Sequence, residues 1–268
     1  MGNNAPIGVF DSGIGGLTVV KELMKLLPGE DFIYFGDTAR IPYGPRPPEE
    51  IIKFMHQILH FLDDQQVKMA VMACNTMTAL GLDIAKEQYL FPVVGVNAGV
   101  QVALEVSRYQ NIGVIATQAT ITSGKHQAAI LVNNSQAAVY PQSCPKFVPL
   151  IEQVQLAGTV IEDAALEYLA PLKKAGVDTL ILGCTHYPLI SPLLNRIMGP
   201  DVVLVNPAHE TALDAYAVLV AGGQLADRKQ GRGRLCFSAD LKRAAKLAML
   251  VLPAPLPELE LVNLQDFS

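Results

Sequence analysis

The sequence contains no C-x-x-C pair. Its four cysteines, Cys74, Cys144, Cys184 and Cys236, are widely spaced in 268 residues. That spacing argues against a zinc knuckle or a thioredoxin-like motif, and against a disulfide framework. Each thiol is then either a small buried hydrophobe or a reactive group. No apolar run approaches the ~18 residues that a membrane helix needs. The opening "MGNNAPIGVF" lacks the basic and long apolar regions of a secretory signal, and Pro6 breaks the myristoylation pattern. Nor is one sign of charge dominant, since 20 Lys and Arg against 25 Asp and Glu leave a net charge of -5. The one basic cluster, "RKQGRGR" at 228–234, is short and Gly-rich and reads as a solvated loop. Nucleic-acid binding therefore has little electrostatic support. The expectation is a cytoplasmic protein with neither a membrane nor a nucleic acid as partner.

What the chain does have is apolar content, 50% hydrophobic with a mean hydropathy of +0.30, and enough length for one large domain or two ordinary ones. Buried strands are predicted at 7–10, 32–35, 68–73, 93–96, 112–115, 137–140, 180–182 and 202–205. Between them, Leu17, Val20, Leu23 (or Met24) and Leu27 share one helical face, as do Ile51, Met55, Ile58 and Leu62. Further helices are predicted near 121–133, 159–175, 189–198, 209–222 and 241–250. Apolar strands alternating with helices imply an α/β protein with parallel sheets covered on both faces.

A weak internal repeat refines this. "IGVFDSGIGGLTVV" at 7–20 resembles "IGVIATQATITSG" at 112–124, and at matched distances follow "VMACNT" with Cys74 and "LILGCTH" with Cys184. Two similar α/β halves are expected. In open α/β sheets ligands bind beyond the carboxyl ends of the strands, which is where both cysteines fall. Facing halves would put Cys74 and Cys184 on opposite walls of one cleft. Their polar neighbours, Asn75-Thr76 and Thr185-His186, favour a reactive role over that of buried strand-end thiols. Cys144 and Cys236 lack such neighbours and read as structural thiols.

"DSGIGGLT" at 11–18 is a Gly-rich turn between strand and helix. It is not a dinucleotide fingerprint, because the third glycine position holds Thr18, and it has no P-loop lysine. A helix N-terminus suited to a carboxylate or phosphate remains, with Asp11 and Ser12 able to take an ammonium group. "DTARIPYGPRP" at 37–47 is a polar loop centred on Pro42, Tyr43 and Gly44. Thr117 and Thr120 in "ATQAT" sit at the strand end matching Asp11, where they could serve a carboxylate. Glu152, in "CPKFVPLIE", could be a loop acid; by its neighbours alone it reads as a surface residue at a helix start.

Taken together, "FDSGIGGLTV", "FGDTARIPYG", "ACNT", "ATQATITSG", "CPKFVPLIE", "LGCTHYPL" and the "ET" at 210–211 resemble the cofactor-independent glutamate racemases of bacterial cell-wall synthesis. The resemblance runs from residue 7 to about 211 and weakens after Leu235, where "CFSAD" is similar to the family's C-terminal strand. It implies two doubly wound parallel-sheet domains facing each other across a cleft. The first would comprise 1–97 and 208–268 and the second 98–207. It also implies interconversion of L- and D-glutamate with no pyridoxal phosphate and no metal, in a homodimer. By the same resemblance Cys74 works with Asp11, and Cys184 with His186 and Glu152. Ser12, Pro42, Tyr43, Gly44, Asn75, Thr76, Thr117, Thr120 and Thr185 are the implied substrate holders, together with Asp11 and His186. The chemistry is consistent with two thiols, since removing a weakly acidic α-proton and returning one from the opposite face needs a base and an acid on either side. A free cysteine is mostly protonated at neutral pH, so activation is required.

Three departures from the family pattern stand out: "NAG" at 97–99, "NPAH" at 206–209, and His126 where the family usually has tyrosine. They leave substrates such as aspartate, a hydantoin or a dicarboxylic acid open. A Cys184–His186 hydrolase and a non-catalytic binding protein are alternatives from other classes.

Overall fold

The computed structural model describes residues 2–264. Its strands are β1 (Ile7–Asp11), β2 (Phe32–Gly36), β3 (Met69–Met72), β4 (Val93–Gly95), β5 (Asn111–Ala116), β6 (Ala138–Ser143), β7 (Thr179–Gly183), β8 (Val203–Val205), β9 (Gly233–Phe237) and β10 (Glu258–Leu261). They form two sheets, one of order β10-β9-β2-β1-β3-β4 and one of order β6-β5-β7-β8. Every pairing is parallel. This is the α/β, two-sheet architecture expected from the alternation of strands and helices.

The central strands are apolar without alternation because both faces are covered. On β1 and β2, Val9 and Tyr34 pack with Leu235 under the helices Leu17–Leu26, Ala208–Ala221 and Leu241–Val251. Phe10 and Phe35 point the other way, against Ile51, Met55 and Met77 of the helices Pro48–Asp64 and Asn75–Gln88. The alternation in direction is the pleat's own period of two; burial on both sides removes any need for a polar face.

The expected helix at 121–133 is two pieces, Gln118–Thr122 and Lys125–Asn133. Gly124 between them has φ +65, a left-handed conformation that no helix continues through. The C-terminal segment, where the sequence resemblance fades, still supplies β9 and β10, with β9 docked on β2 so that Gly36 sits opposite Phe237.

The chain leaves the first sheet after β4 and returns after β8, and the two crossings touch. A Cβ on Gly99 would lie 3.1 Å from the Val205 side chain. The Asn97 backbone N–H donates to Thr211 Oγ1 at 2.9 Å, and its side-chain amide donates to Asp214 at 2.8 Å. Two of the departures, "NAG" and "NPAH", are thus neighbours at these crossings, just past the carboxyl ends of β4 and β8, the strands that pair with β3 and β7.

Candidate active site

Strand ends position the candidate site residues. Asp11 is the last residue of β1, Cys74 follows β3 and caps the helix Asn75–Gln88, and Cys184 directly follows β7. The two sheets meet at these ends around one cavity. Its walls include Asp11, Ser12, Pro42, Tyr43, Gly44, Cys74, Asn75, Thr76, Thr117, Cys184, Thr185 and His186. It encloses about 80 Å³. That is space for a small molecule, not for a dinucleotide.

Of the expected site residues, only Glu152 and Thr120 do not line the cavity; both stand one layer behind it. Glu152 Oε1 lies 2.8 Å from His186 Nε2 and accepts the Ile14 backbone N–H at 3.0 Å. Its reading as a surface helix-start residue is overturned: it ends the helix Phe147–Glu152 and is 3% exposed. The apolar face of that short helix turns it inward. Thr120 Oγ1 is 3.1 Å from Thr117 Oγ1 and 3.4 Å from Thr76 Oγ1, and Thr76 is 2.9 Å from Thr117. The three hydroxyls form a triangle that joins the two sheets above the cavity.

Beneath it the sheets are joined again. Thr185 Oγ1 donates to Asp11 Oδ2 at 2.6 Å, while Ser12 Oγ donates to Asp11 Oδ1 at 3.1 Å. The glycines of "DSGIGG" exist for this approach. A Cβ on Gly13 would lie 2.2 Å from Glu152 Oε1, and one on Gly15 would lie 2.5 Å from both His186 Nδ1 and Thr185 Oγ1. The Gly-rich loop therefore receives side chains from the second sheet, and its glycines need no phosphate to explain them.

The two thiols sit in unequal surroundings. Cys184 Sγ is 3.8 Å from His186 Nδ1. Burial works against a charged His186, but its hydrogen bonds to Cys184 and Glu152 outweigh that and lift its pKa well above the ordinary value. An imidazolium stabilises a thiolate beside it. Cys74, by contrast, is pushed up to about 12, chiefly by burial and then by the Asp11 charge. Iodoacetamide at about pH 8 should therefore alkylate Cys184 before Cys74, as read by peptide mass mapping over time. Equal rates, or Cys74 first, would contradict this picture.

Five further wall residues lie in the motifs above without having been singled out as site residues. Pro45, Gln118, Cys144, Pro145 and Val148 complete the cavity. Cys144, read as a structural thiol, occupies the end of β6 just as Cys74 and Cys184 follow β3 and β7, so strand-end position was the available clue. Cys236 lies in β9, its thiol 3.8 Å from Glu260 Oε2. The loop bearing Pro42, Tyr43 and Gly44 is anchored by fully buried Asp37. That carboxylate accepts from the Tyr43 hydroxyl, from Arg40 Nε and from Ser238 Oγ. No group of three or more metal-ligating side chains occurs among the described residues. No helix among them is long and apolar enough to cross a membrane.

Residues 7–214 match the model of the Asp/Glu/Hydantoin racemase family. The chain belongs to this family. As a racemase it is an isomerase, with many relatives of known name. A glutamate racemase of Lactiplantibacillus plantarum is 50% identical over 220 residues, 82% of this chain and 81% of its own. One from Thermoanaerobacter pseudethanolicus is 41% identical over 268 residues, 99% of this chain and 100% of its own. The crystal structure of glutamate racemase from Francisella tularensis in complex with D-glutamate aligns with a TM-score of 0.89 at 40% identity. It covers 98% of this racemase chain and 99% of the other.

Proposed function

We propose that the chain interconverts L- and D-glutamate by a two-thiol mechanism, supplying D-glutamate for peptidoglycan. The observation that carries this is the pairing of Cys74 and Cys184 in the walls of one small cavity, each beside its own acid–base partner. The glutamate racemases that are 41–50% identical to it support glutamate as the substrate. We place the activity in the cytoplasm, in a homodimer whose subunits fold as 1–97 with 208–268 and as 98–207.

In the direction that starts at Cys184, its thiolate takes the α-proton. Cys74 then delivers a proton to the opposite face, and the two sulfurs exchange protonation states. His186, oriented by Glu152, compensates the charge at Cys184. Asp11, held by Thr185 and Ser12, serves Cys74. The Asn75 side-chain nitrogen is buried without a partner among the described residues. It provides an unspent donor for a carboxylate, which is what an anionic substrate would satisfy, and the Thr76 and Thr117 hydroxyls, bonded to each other, line the same cavity. Tyr43, Gly44 and Pro42 line the cavity as substrate holders, and Thr120 orients the other two threonines.

Incubation with L-glutamate or L-aspartate in deuterated water tests the assignment. Racemisation with α-deuterium uptake from glutamate is expected, and uptake from neither substrate would sink the amino-acid reading. Cys74→Ser should lower turnover by about 10²–10⁴-fold, the usual contribution of an acid–base group. A Cys184–His186 hydrolase would tolerate that change.

A further inference from the structure

Behind the hydroxyl triangle lies a second, smaller cavity lined by Val114, Thr120, Gly124, His126, Val139 and Pro141. His126, the third departure from the family pattern, stands in the first turn of the helix Lys125–Asn133. It is only 9% exposed, and neither ring nitrogen has a hydrogen-bond partner among the described residues. Its Nε2 lies 3.5 Å from where a Cβ on Gly183 would be, directly behind the residue that precedes Cys184. A buried imidazole with no partner tolerates neutrality at a cost, and tolerates a charge far less.

The ring has no counter-ion in contact with it: Lys125, beside it on the helix, is exposed and pairs at 3.6 Å with the exposed Asp83 of the helix Asn75–Gln88. Of the elements packed on this helix, Val100–Val106 carries only Glu105, which is exposed, and Gln118–Thr122 carries no titratable group. Tyr140 on β6 and Cys184 after β7 are the nearest titratable residues along the strands whose Val139 and Gly183 approach the ring. Burial alone pushes His126 down to about 4, and the partial positive charge of the first helical turn acts in the same direction. Gly124, with φ +65 and no atom within 4 Å of its missing Cβ, joins the two short helices.

We propose that His126 is a proton-operated release for the corner at 118–133, withdrawing Thr117 and Thr120 from the active-site wall when the medium turns acidic. Protonation needs the ring to reach water. It can do so only if the start of the helix Lys125–Asn133 swings off β5 and β7. Because the helix Gln118–Thr122, which bears Thr120 and is capped by Thr117, packs on this helix, the movement breaks the hydroxyl triangle at Thr76. The sign follows from linkage. A group whose folded pKa lies below its free value of about 6.5 gives the closed form its full stability above that pH, and loses it as pH falls toward 4. At pH 5 the open fraction should exceed its value at pH 7.5 by about 30-fold.

Amide hydrogen exchange on the full chain tests this with wild type, His126→Phe and His126→Gln at pH 7.5 and 5, corrected for intrinsic rates. Protection across 118–133 is expected to fall about 30-fold further in wild type than in either variant. Parallel losses in all three proteins would overturn the release, and the glutamine variant keeps the test open if phenylalanine misfolds. Racemisation kcat/KM at pH 5, relative to pH 7.5, should fall further in wild type, an expectation that rests on the proposed function. A differential exchange effect without a differential loss of racemisation would overturn the link to the site. Absence of racemisation in all three proteins at both pH values would instead count against the proposed function and leave the exchange result standing.

Discussion

Gly15→Ala should lower kcat/KM for racemisation by at least about 10²-fold while leaving the circular dichroism spectrum unchanged. The added methyl would fall 2.5 Å from His186 Nδ1 and from Thr185 Oγ1, and 2.8 Å from the His186 backbone nitrogen. The side chains can rotate, but the backbone nitrogen cannot yield without moving the turn that follows β7. That turn carries Cys184, and displacing a reacting group by about 1 Å costs on the order of 10²-fold. Two links break at once. His186 loses its alignment between Glu152 and Cys184, and Thr185 is driven from Asp11, the acid beside Cys74. Both half-reactions should therefore suffer, and α-deuterium exchange should fall along with net racemisation. An alanine variant with native turnover would show that the two sheets meet less tightly than described.

Lys68→Met should lower the unfolding free energy by about 3–5 kcal/mol, measured by urea denaturation, because it leaves a buried carboxylate unpaired. Lys68 and Glu30 form an ion pair whose side chains are 1% and 4% exposed. The ammonium also donates to the carbonyls of Asn3 at 2.6 Å and Gln224 at 2.7 Å. Glu30 Oε1 accepts the Ala226 N–H at 2.8 Å. One pair thus ties the N-terminal arm to the segment that leads into β9. It lies at the amino ends of β2 and β3, whereas Cys74 lies at the carboxyl end of β3. Turnover per folded molecule should accordingly be preserved in Lys68→Met. A loss under about 1 kcal/mol would mean that the arm is held by other contacts.

These two outcomes separate what could be read from residues alone and what could not. The strands at 7–10, 32–35 and 112–115 were legible because parallel strands buried on both faces are apolar at every position, a local property. Cys74 and Cys184 were legible as a pair because each ends such a strand with polar residues behind it. The break at Gly124 was harder to see. The apolar spacing continues across it, and only the positive φ ends the first helix.

Other features have no local signature. The glycines at 13 and 15 mark a turn in the sequence, but their reason lies in Glu152, His186 and Thr185, which arrive from more than 130 residues away. Glu152 looks like a surface residue until the helix Phe147–Glu152 is rolled onto the core. Lys68 and Glu30 are unremarkable charges until chain reversal buries them together. By itself, then, the sequence determined the kinds of element, their parallel arrangement and the candidate thiols at the strand ends, since burial period and strand-end chemistry act over a few residues. Only the tertiary structure decided how Glu152 comes to be buried behind His186, why the loop after β1 has to be glycine, and where His126 lost its partners. Those depend on how two sheets approach each other, and that approach is set by contacts between residues distant along the chain.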